Sequence, residues 1–460
     1  MRLAVAVGLA RLAGWVSRLV GWGGSSLPGQ VARAIDPLAL RHLTAGLRRG
    51  VVLVTGTNGK TTTVALAQHL LRRSGWDVVH NRTGANLVLG LTASLAQAGG
   101  RNVVPHADLA LLETDEASVP RAAAEIRPRG LVVTNFFRDQ LDRYGELSHT
   151  VELVGRGLGA LAEDGWAILN ADDPNVARLG SGLGRIVYYG VDREAFATQA
   201  GLETGDARNC PFCGRPLIYT FRLYAHVGHY RCEGCGWRRP DPEVAVEYWD
   251  PGSKQLRVRF GAAGASVPWA LPGLYNLYNQ LAAMALAWHL GTDLAVVASA
   301  LKDFRPAFGR MERAMVSGKE VWIALVKNPT GFNQVLATLA EEETPQAEPR
   351  AVGLIAINDD YADGRDVSWL WDVDFERWLP EVAVSRWWVS GRRAWDMAVR
   401  MKYAGWAPDQ LHVEPDLARA LNEAVAAAPE RVFVLPTYTA MLSLRRKLTD
   451  IGAVRHFREG

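Results

Sequence analysis

One segment constrains this chain more than any other. Residues 51–63 read Val-Val-Leu-Val-Thr-Gly-Thr-Asn-Gly-Lys-Thr-Thr-Thr. The run VVLVT (51–55) has no polar face, as expected of a strand in a parallel sheet covered on both sides. A glycine turn follows, and then TTTVALAQHLLRRSG (61–75), which reads as a helix. Where such a turn meets a helix N-terminus, backbone N–H groups point outward together and can cradle phosphates. Lys60 can reach the β- and γ-phosphates, and the Thr61 hydroxyl can ligate Mg²⁺. The full phosphate-loop pattern is Gly-x4-Gly-Lys-Ser/Thr, and here Val54 occupies the first Gly position. What remains is a narrower variant, TGTNGKT. Thr57, Asn58, Gly59, Lys60, Thr61 and Thr62 are the expected ATP contacts.

The rhythm set by this segment continues. LALLET (109–114), LVVTN (131–135) and AILN (167–170) are short apolar runs, each ending in a polar or acidic residue and separated by helical stretches. Alternating strands and helices predict a parallel sheet with helices on both faces. Residues 205–240 break the pattern, being rich in Cys, Gly, Pro and Arg. It resumes at Leu274 with the helix NQLAAMALAWHLG. A second α/β rhythm follows Phe308, with strands expected at VWIALV (321–326), AVGLIAIN (351–358), SRWWVSG (385–391) and RVFVLP (431–436). The polar segment EEETPQAEPR (341–350) interrupts it. The expected organisation is an N-terminal helix and connector (1–45, including SSLPGQ at 25–30), an ATP-binding domain (46–305) carrying an insertion (205–240), and a C-terminal α/β domain (306–460). Fifty-one basic and 48 acidic residues leave a net charge of only +3, so no general nucleic-acid footprint exists.

All four cysteines lie in the insertion, as Cys210-Pro-Phe-Cys213-Gly and Cys232-Glu-Gly-Cys235-Gly. Each Cys-x2-Cys places two thiolates on one tight turn, and the Gly after it lets the backbone N–H groups face sulfur. Two such turns supply the four sulfurs of a tetrahedral Zn²⁺ site. Two disulfides or a rubredoxin-type iron site are the alternatives. Four protein ligands make the site closed and structural, a staple for a lobe with few apolar residues. Arg215, Arg222, Arg231, Arg238 and Arg239 lie nearby and are read as a solvated surface; nucleic-acid binding is the other reading.

The first 22 residues look like a leader only superficially. Arg11 and Arg18 interrupt the apolar run, and no small-residue cleavage site follows. The uninterrupted stretch Leu3 to Ala10 falls well short of the roughly 18 residues needed to span a bilayer. Leu12, Trp15, Val16, Leu19 and Trp22 recur at helical spacing, with Arg11 and Arg18 on another face. The helix either packs on its own domain or lies against an anionic membrane. A cytoplasmic protein, at most peripheral to the membrane, is expected.

The string TGTNGKTTT resembles the Mur ligase superfamily, and the likeness extends beyond the loop. LLETDEAS (111–118) is similar to that family's acidic strand end, which implies a Mg²⁺ carboxylate from Glu116, with Glu113 as competitor. TNFFRDQLDRYG (134–145) resembles a stretch near the nucleotide. LYNLYNQLAA (274–283) resembles the adenine-side helix, implying a base contact from Asn279 with Asn276 nearby. FGRMER (308–313) resembles a Gly-Arg-x-Glu turn, implying a phosphate contact from Arg310. The implied fold is a Mur-ligase-type ATPase domain with an inserted four-cysteine zinc ribbon, followed by a Rossmann-like α/β domain. The implied chemistry is activation of a carboxylate as an acyl phosphate and attack by an amine.

Amino-acid-adding members often begin their third domain with Asp-Tyr-Ala-His-Asn-Pro. Here LVKNPTG (325–331) keeps Asn328 and Pro329 but lacks the Asp and His. NDDYADGRDVSWLWDVDFE (358–376) and LPTYTAMLSLR (435–445) resemble instead the MurT branch, synthetase subunits of lipid II isoglutaminyl synthases. That resemblance implies ATP-dependent amidation of the D-glutamate α-carboxylate in the lipid II stem peptide. It implies ammonia from a GatD-type class I glutaminase subunit, and an Asp lent to orient that partner's catalytic His. Asp366 is the candidate, with Asp363 and Asp372 behind it; a local role for Asp366 is to cap a helix beginning at Val367. The chain has no cysteine outside the two pairs, which independently favours an outside ammonia source. An amino-acid-adding Mur or folylpolyglutamate-type ligase and a nucleic-acid-binding zinc-ribbon ATPase are the alternatives.

Overall fold

The structure is a computed structural model that describes residues 1–19, 26–81, 85–139, 147–192, 196, 206–250, 252–305, 309–342 and 349–454. Two compact units result. The first comprises Met1–Phe137, Glu146–Ala270 and Asn276–Phe304; the second comprises Arg138–Gly145, Leu271–Tyr275 and Arg305–Gly460.

The first unit is built on a nine-stranded sheet. Its strands are β1 (Val51–Thr55), β2 (Val78–His80), β3 (Leu109–Glu113), β4 (Gly130–Val133), β5 (Trp166–Asn170), β6 (Ile186–Val191), β9 (Val244–Asp250), β10 (Gln255–Phe260) and β11 (Ala263–Pro268). The order is β11-β10-β9-β6-β5-β4-β1-β3-β2. From β2 to β9 every pairing is parallel, whereas β10 and β11 close the edge as an antiparallel meander. Every residue of β1, β3, β4 and β5 is buried, as the continuous apolar runs require. One face contributes Val51, Leu53, Ala110, Leu112, Leu131, Val133, Ala167 and Leu169 to a single core. Helices α1 (Arg2–Leu19), α2 (Leu27–Ile35), α3 (Ala39–Thr44), α4 (Lys60–Arg73), α5 (Val88–Ala98) and α6 (Val119–Ile126) precede or connect these strands. The meander is not legible in the sequence. Strand β10 alternates buried and exposed residues and carries Arg257 and Arg259, so no continuous apolar run announces it.

Within this unit, β7 (Ile218–Tyr224) and β8 (Val227–Arg231) form a separate antiparallel hairpin beside the four cysteines.

The second unit holds a six-stranded sheet, ordered β12-β13-β17-β14-β15-β16. The strands are β12 (Arg310–Val316), β13 (Lys319–Ala324), β14 (Ala351–Ala356), β15 (Val384–Ser390), β16 (Leu411–Val413) and β17 (Arg431–Pro436). All pairings are parallel except β12 with β13. Alternate residues feed two cores on opposite faces. Trp322, Ala351, Ile355, Phe433 and Leu435 enter one; Val321, Ile323, Val352, Leu354, Val432 and Val434 enter the other. The two-residue period of a strand sorts the side chains in this way.

Candidate functional site

The phosphate loop occupies the carboxyl end of β1. Gly56 (φ +124°) and Gly59 (φ +86°) both adopt backbone that L side chains avoid. Space is equally restrictive. A Cβ on Gly56 would lie 2.2 Å from Thr134 Oγ1, and one on Gly59 only 1.9 Å from Asn279 Oδ1. The residues just after β4 brace the loop from the side. Thr57 N donates to Asn135 O (2.9 Å), Asn58 N to Asn135 Oδ1 (2.9 Å), and Thr134 Oγ1 to Asn58 O (2.7 Å). Phe137 N donates to Thr57 Oγ1 (3.1 Å). These bonds fix the loop's backbone to the residues that follow β4.

Helix α4 begins at Lys60. The Lys60 ammonium is buried, curled back on Gly56 O (2.5 Å), and 3.3 Å from both oxygens of Glu116. The neighbouring Thr61 hydroxyl donates to Glu113 Oε2 at 2.8 Å. Asn81 holds the Glu113 backbone at both ends: Glu113 N donates to Asn81 Oδ1, and Asn81 Nδ2 to Glu113 O, each at 2.8 Å. Both carboxylates are buried. Glu116 faces the Lys60 ammonium, and Glu113 accepts from the Thr61 hydroxyl. A hard cation takes oxygen donors, and Thr61, Glu113 and Glu116 supply them at the head of α4. Thr62 is buried in the first turn of that helix. Asn279 and Asn276, joined at 3.2 Å in helix Leu274–His289, are both buried, with Asn279 against Gly59.

The four cysteine sulfurs lie within 4.8 Å of one another. Cys210 and Cys235 are 3.6 Å apart, and Cys213 and Cys232 are 3.4 Å apart. A disulfide would need about 2.05 Å, so the thiols are free. Tetrahedral Zn–S bonds of about 2.3 Å put sulfurs roughly 3.8 Å apart, so the quartet fits zinc. The two turns repeat one geometry. Gly214 N donates to Cys210 O (2.9 Å) and Gly236 N to Cys232 O (3.0 Å), with φ +74° at both glycines. Backbone N–H groups of Cys235 and Gly234 facing its sulfur bring the Cys232 thiol down to about 7. The lobe is anchored to the main sheet. Tyr230 Oη donates to Ala171 O (3.0 Å), Arg239 pairs with Asp172, and the Tyr224 ring meets that of Tyr278 at 5.6 Å. At the hairpin tip the His226 ring stacks 4.7 Å from Phe137, whose backbone holds Thr57.

In the second unit, the two unusual strings meet at the carboxyl ends of the adjacent strands β14 and β17. Asn358 N donates to Thr437 Oγ1 (2.9 Å) and Asn358 Nδ2 to Thr439 Oγ1 (2.9 Å). Thr439 N and Oγ1 donate to the two oxygens of Asp363 at 2.8 and 2.5 Å. Asp363 is buried, and burial pushes its carboxyl above the ordinary range. Asp366 is exposed and accepts from Ser368 N (2.8 Å), a bond that holds its carboxyl below the ordinary range. The 3₁₀ turn beyond it starts at Ser368, with Val367 at its cap position, so the local role of Asp366 is an Asx turn. Asp372 is exposed at the end of that turn. Arg310 is half-buried at the start of β12; Gly309 (φ +65°) precedes it, and Glu312 locks the turn through Arg445 at 2.6 and 2.8 Å. Lys327 pairs with Asp139 at 2.7 Å. Asn328 Oδ1 accepts from Gly331 N (2.8 Å) in the first turn of helix Pro329–Glu342.

Comparison with known proteins bears on these two units. The family described as Mur ligase middle domain matches residues 54–210, and that described as MurT ligase C-terminal matches residues 325–441. The lipid II isoglutaminyl synthase (glutamine-hydrolyzing) subunit MurT of Staphylococcus aureus strain N315 is 34% identical over 449 residues, covering 97% of this chain and 98% of the relative. The chain belongs to the MurT family. The subunit MurT of Streptococcus pneumoniae strain R6 is likewise 34% identical, covering 94% of each chain. Among solved structures, a pseudomurein peptide ligase type C from Methanothermus fervidus matches with TM-score 0.65 at 22% identity, covering 88% of this chain and 79% of that one. MurF from Thermotoga maritima, in complex with ADP, matches with TM-score 0.61 at 13% identity, covering 91% and 84%. These establish a Mur-ligase-type α/β fold for this MurT-family chain.

Some residues that shape the candidate site of this MurT-type chain escape sequence reading. Thr134 and Asn135 belong to a recognisable string, but their work in bracing the loop is invisible there. Asn81 carries no signal at all, because a lone Asn after a three-residue strand makes no pattern. Thr439 is only a letter in a motif, and Lys327 only part of a departure from one.

Proposed function

We propose that this MurT-family chain is the synthetase subunit of a lipid II isoglutaminyl synthase. It amidates the D-glutamate α-carboxylate of the lipid II stem peptide at the cytoplasmic face, using ATP. The observation that carries the reading is the likeness to MurT subunits along essentially the whole chain; the phosphate loop braced by Thr134, Asn135 and Phe137 supports it.

In this reading the loop N–H groups of residues 57–62 receive the nucleotide phosphates, and Lys60 exchanges its internal partners for the β- and γ-oxygens. Thr61, Glu113 and Glu116 would hold Mg²⁺, which supplies charge neutralisation when bound. Asn279, against the loop, contributes a nucleotide contact. Arg310 is assigned to the phosphates on its Gly-Arg-x-Glu turn. A carboxylate oxygen of the substrate attacks the γ-phosphorus, ADP leaves, and an acyl phosphate forms. Ammonia then attacks the carbonyl carbon, loses a proton, and inorganic phosphate departs. Cys210, Cys213, Cys232 and Cys235 would hold Zn²⁺ as a closed staple with no open position for chemistry.

The ammonia source is a GatD-type class I glutaminase partner. Asp366 is exposed, charged and fixed by Ser368, as a carboxylate lent to another chain's imidazole must be. The deciding experiment incubates the chain with ATP, Mg²⁺, lipid II and ammonium, with and without the glutaminase, and weighs the product. Conversion of carboxylate to amide is expected in both ammonium arms. An unchanged mass under every condition overturns the reading.

A further inference from the structure

Helix α1 leaves an apolar face bare. Its buried side consists of Ala6, Val7, Ala10, Gly14 and Ser17. The small residues among them allow close approach: a Cβ on Gly14 would lie 3.3 Å from Pro28 and 3.4 Å from Gln97. Arg11 ties the same side down, donating to Ala96 O (2.7 Å) and Asn102 O (2.6 Å). Of the two sequence readings of this helix, packing of the apolar stripe on its own domain is therefore not what the fold shows. Arg11 turns toward the domain and the stripe turns out. Val5, Leu9, Leu12, Trp15 and Val16 are between 44% and 55% exposed. Val5, Leu9, Leu12 and Val16 fall at i, i+4, i+7 and i+11, a single line along the helix. The side chains of Arg18 and Leu19, and Trp22 as a whole, lie outside the described residues.

A surface helix ordinarily turns polar residues to water, and one that is apolar on all sides needs cover on all sides. Charge indicates the cover. Helices α1, α2 and α5 and the turn 99–104 contain no Asp or Glu. Besides Arg18 they contain Arg2, Arg11, Arg33 and Arg101, of which Arg2 and Arg101 are exposed and Arg33 is matched by Glu125. Among the described residues no helix is long and apolar enough to cross a membrane. An apolar line without carboxylates and flanked by guanidinium groups suits a bilayer interface. Aliphatic and indole groups enter the headgroup–acyl boundary there, and cations meet lipid phosphates.

We propose that α1 is an interfacial contact that seats this chain on an anionic phospholipid surface through Val5, Leu9, Leu12, Trp15 and Val16. The purpose of the contact rests on the function proposed above, since a lipid-linked substrate is met at the bilayer; the contact itself does not.

The test uses the full chain with extruded phosphatidylcholine vesicles, with and without phosphatidylglycerol, in the absence of nucleotide and lipid II. Co-sedimentation with the phosphatidylglycerol vesicles is expected. The double variant Leu9→Glu/Val16→Glu should weaken it roughly tenfold or more, with thermal unfolding and nucleotide binding unchanged. No binding to either vesicle, or equal binding by wild type and double variant, overturns the proposal. So does a wild-type dimer that the double variant converts to monomer without any vesicle binding, because the face would then belong to a second copy. Vesicle binding that persists when no substrate is amidated leaves this contact standing and removes the functional reading alone.

Discussion

The Thr61 hydroxyl donates to Glu113 at 2.8 Å, so two acidic residues only three positions apart have different partners. Glu113 shares its position with the expected Mg²⁺ hydroxyl, while Glu116 balances Lys60. Glu113→Gln should therefore raise the Mg²⁺ concentration needed for half-maximal activity about 10- to 100-fold, with little effect on the unliganded fold. A Mg²⁺ titration of ATP turnover checks this.

Glu116→Gln should behave differently. It removes the carboxylate charge 3.3 Å from the buried Lys60 ammonium, a change that typically costs about 3 kcal/mol. The nucleotide-free variant should melt well below wild type. Added ATP should raise its melting temperature by more than it raises that of wild type, because the phosphates replace the missing charge. Thermal unfolding with and without nucleotide reads both effects.

Gly59→Ala should abolish nucleotide binding, since the new Cβ meets Asn279 Oδ1 and the backbone sits at φ +86°. Gly59→Ala/Asn279→Ala removes the collision but leaves a backbone cost of roughly 1 kcal/mol. The double variant should recover part of the stability lost by the single one. A double-mutant cycle on thermal unfolding measures that coupling.

Zinc should be present stoichiometrically by elemental analysis. Removing it with a chelator, or substituting Cys213→Ser, should lower the melting temperature and weaken ATP binding together. The lobe is tied to Asp172 by Arg239 and reaches Thr57 through His226 and Phe137. Loss of zinc with unchanged ATP affinity would show that the hairpin does not brace the loop.

Asp366→Asn should abolish glutamine-driven amidation and spare ammonium-driven amidation; equal loss of both refutes the triad role. Asp363 carries a pH signature. Its folded carboxyl sits above the ordinary value of 3.8, so the folded state binds the extra proton more tightly than the unfolded chain. Its favourable contribution is therefore full below the ordinary value and is lost as pH rises through the raised one. Wild type should gain stability relative to Asp363→Asn as pH falls across that window. A parallel pH dependence for the two proteins would contradict it.

Much of the frame is legible because it depends on local rules. The strands β1 and β14 begin where their apolar runs begin, since burial on both faces leaves no polar positions to blur them. The meander β9 to β11 is not legible, because edge strands covered on one side mix charge with apolar residues. The candidate site divides in the same way. The loop is legible as a motif; its brace from Thr134 and Asn135 is not, because neighbouring parallel strands are separated by a long crossover.

By itself the sequence determined the phosphate loop, the four-sulfur site, the two α/β rhythms and the family likeness, all of which follow from spacing along the chain. Tertiary structure alone decided which carboxylate meets Thr61 and which meets Lys60, and that Asp363 is buried on Thr439 while Asp366 faces outward. It also decided that the apolar line of α1 points away from its domain. A sequence records the period of a helix or strand but not which of its faces the rest of the chain will cover.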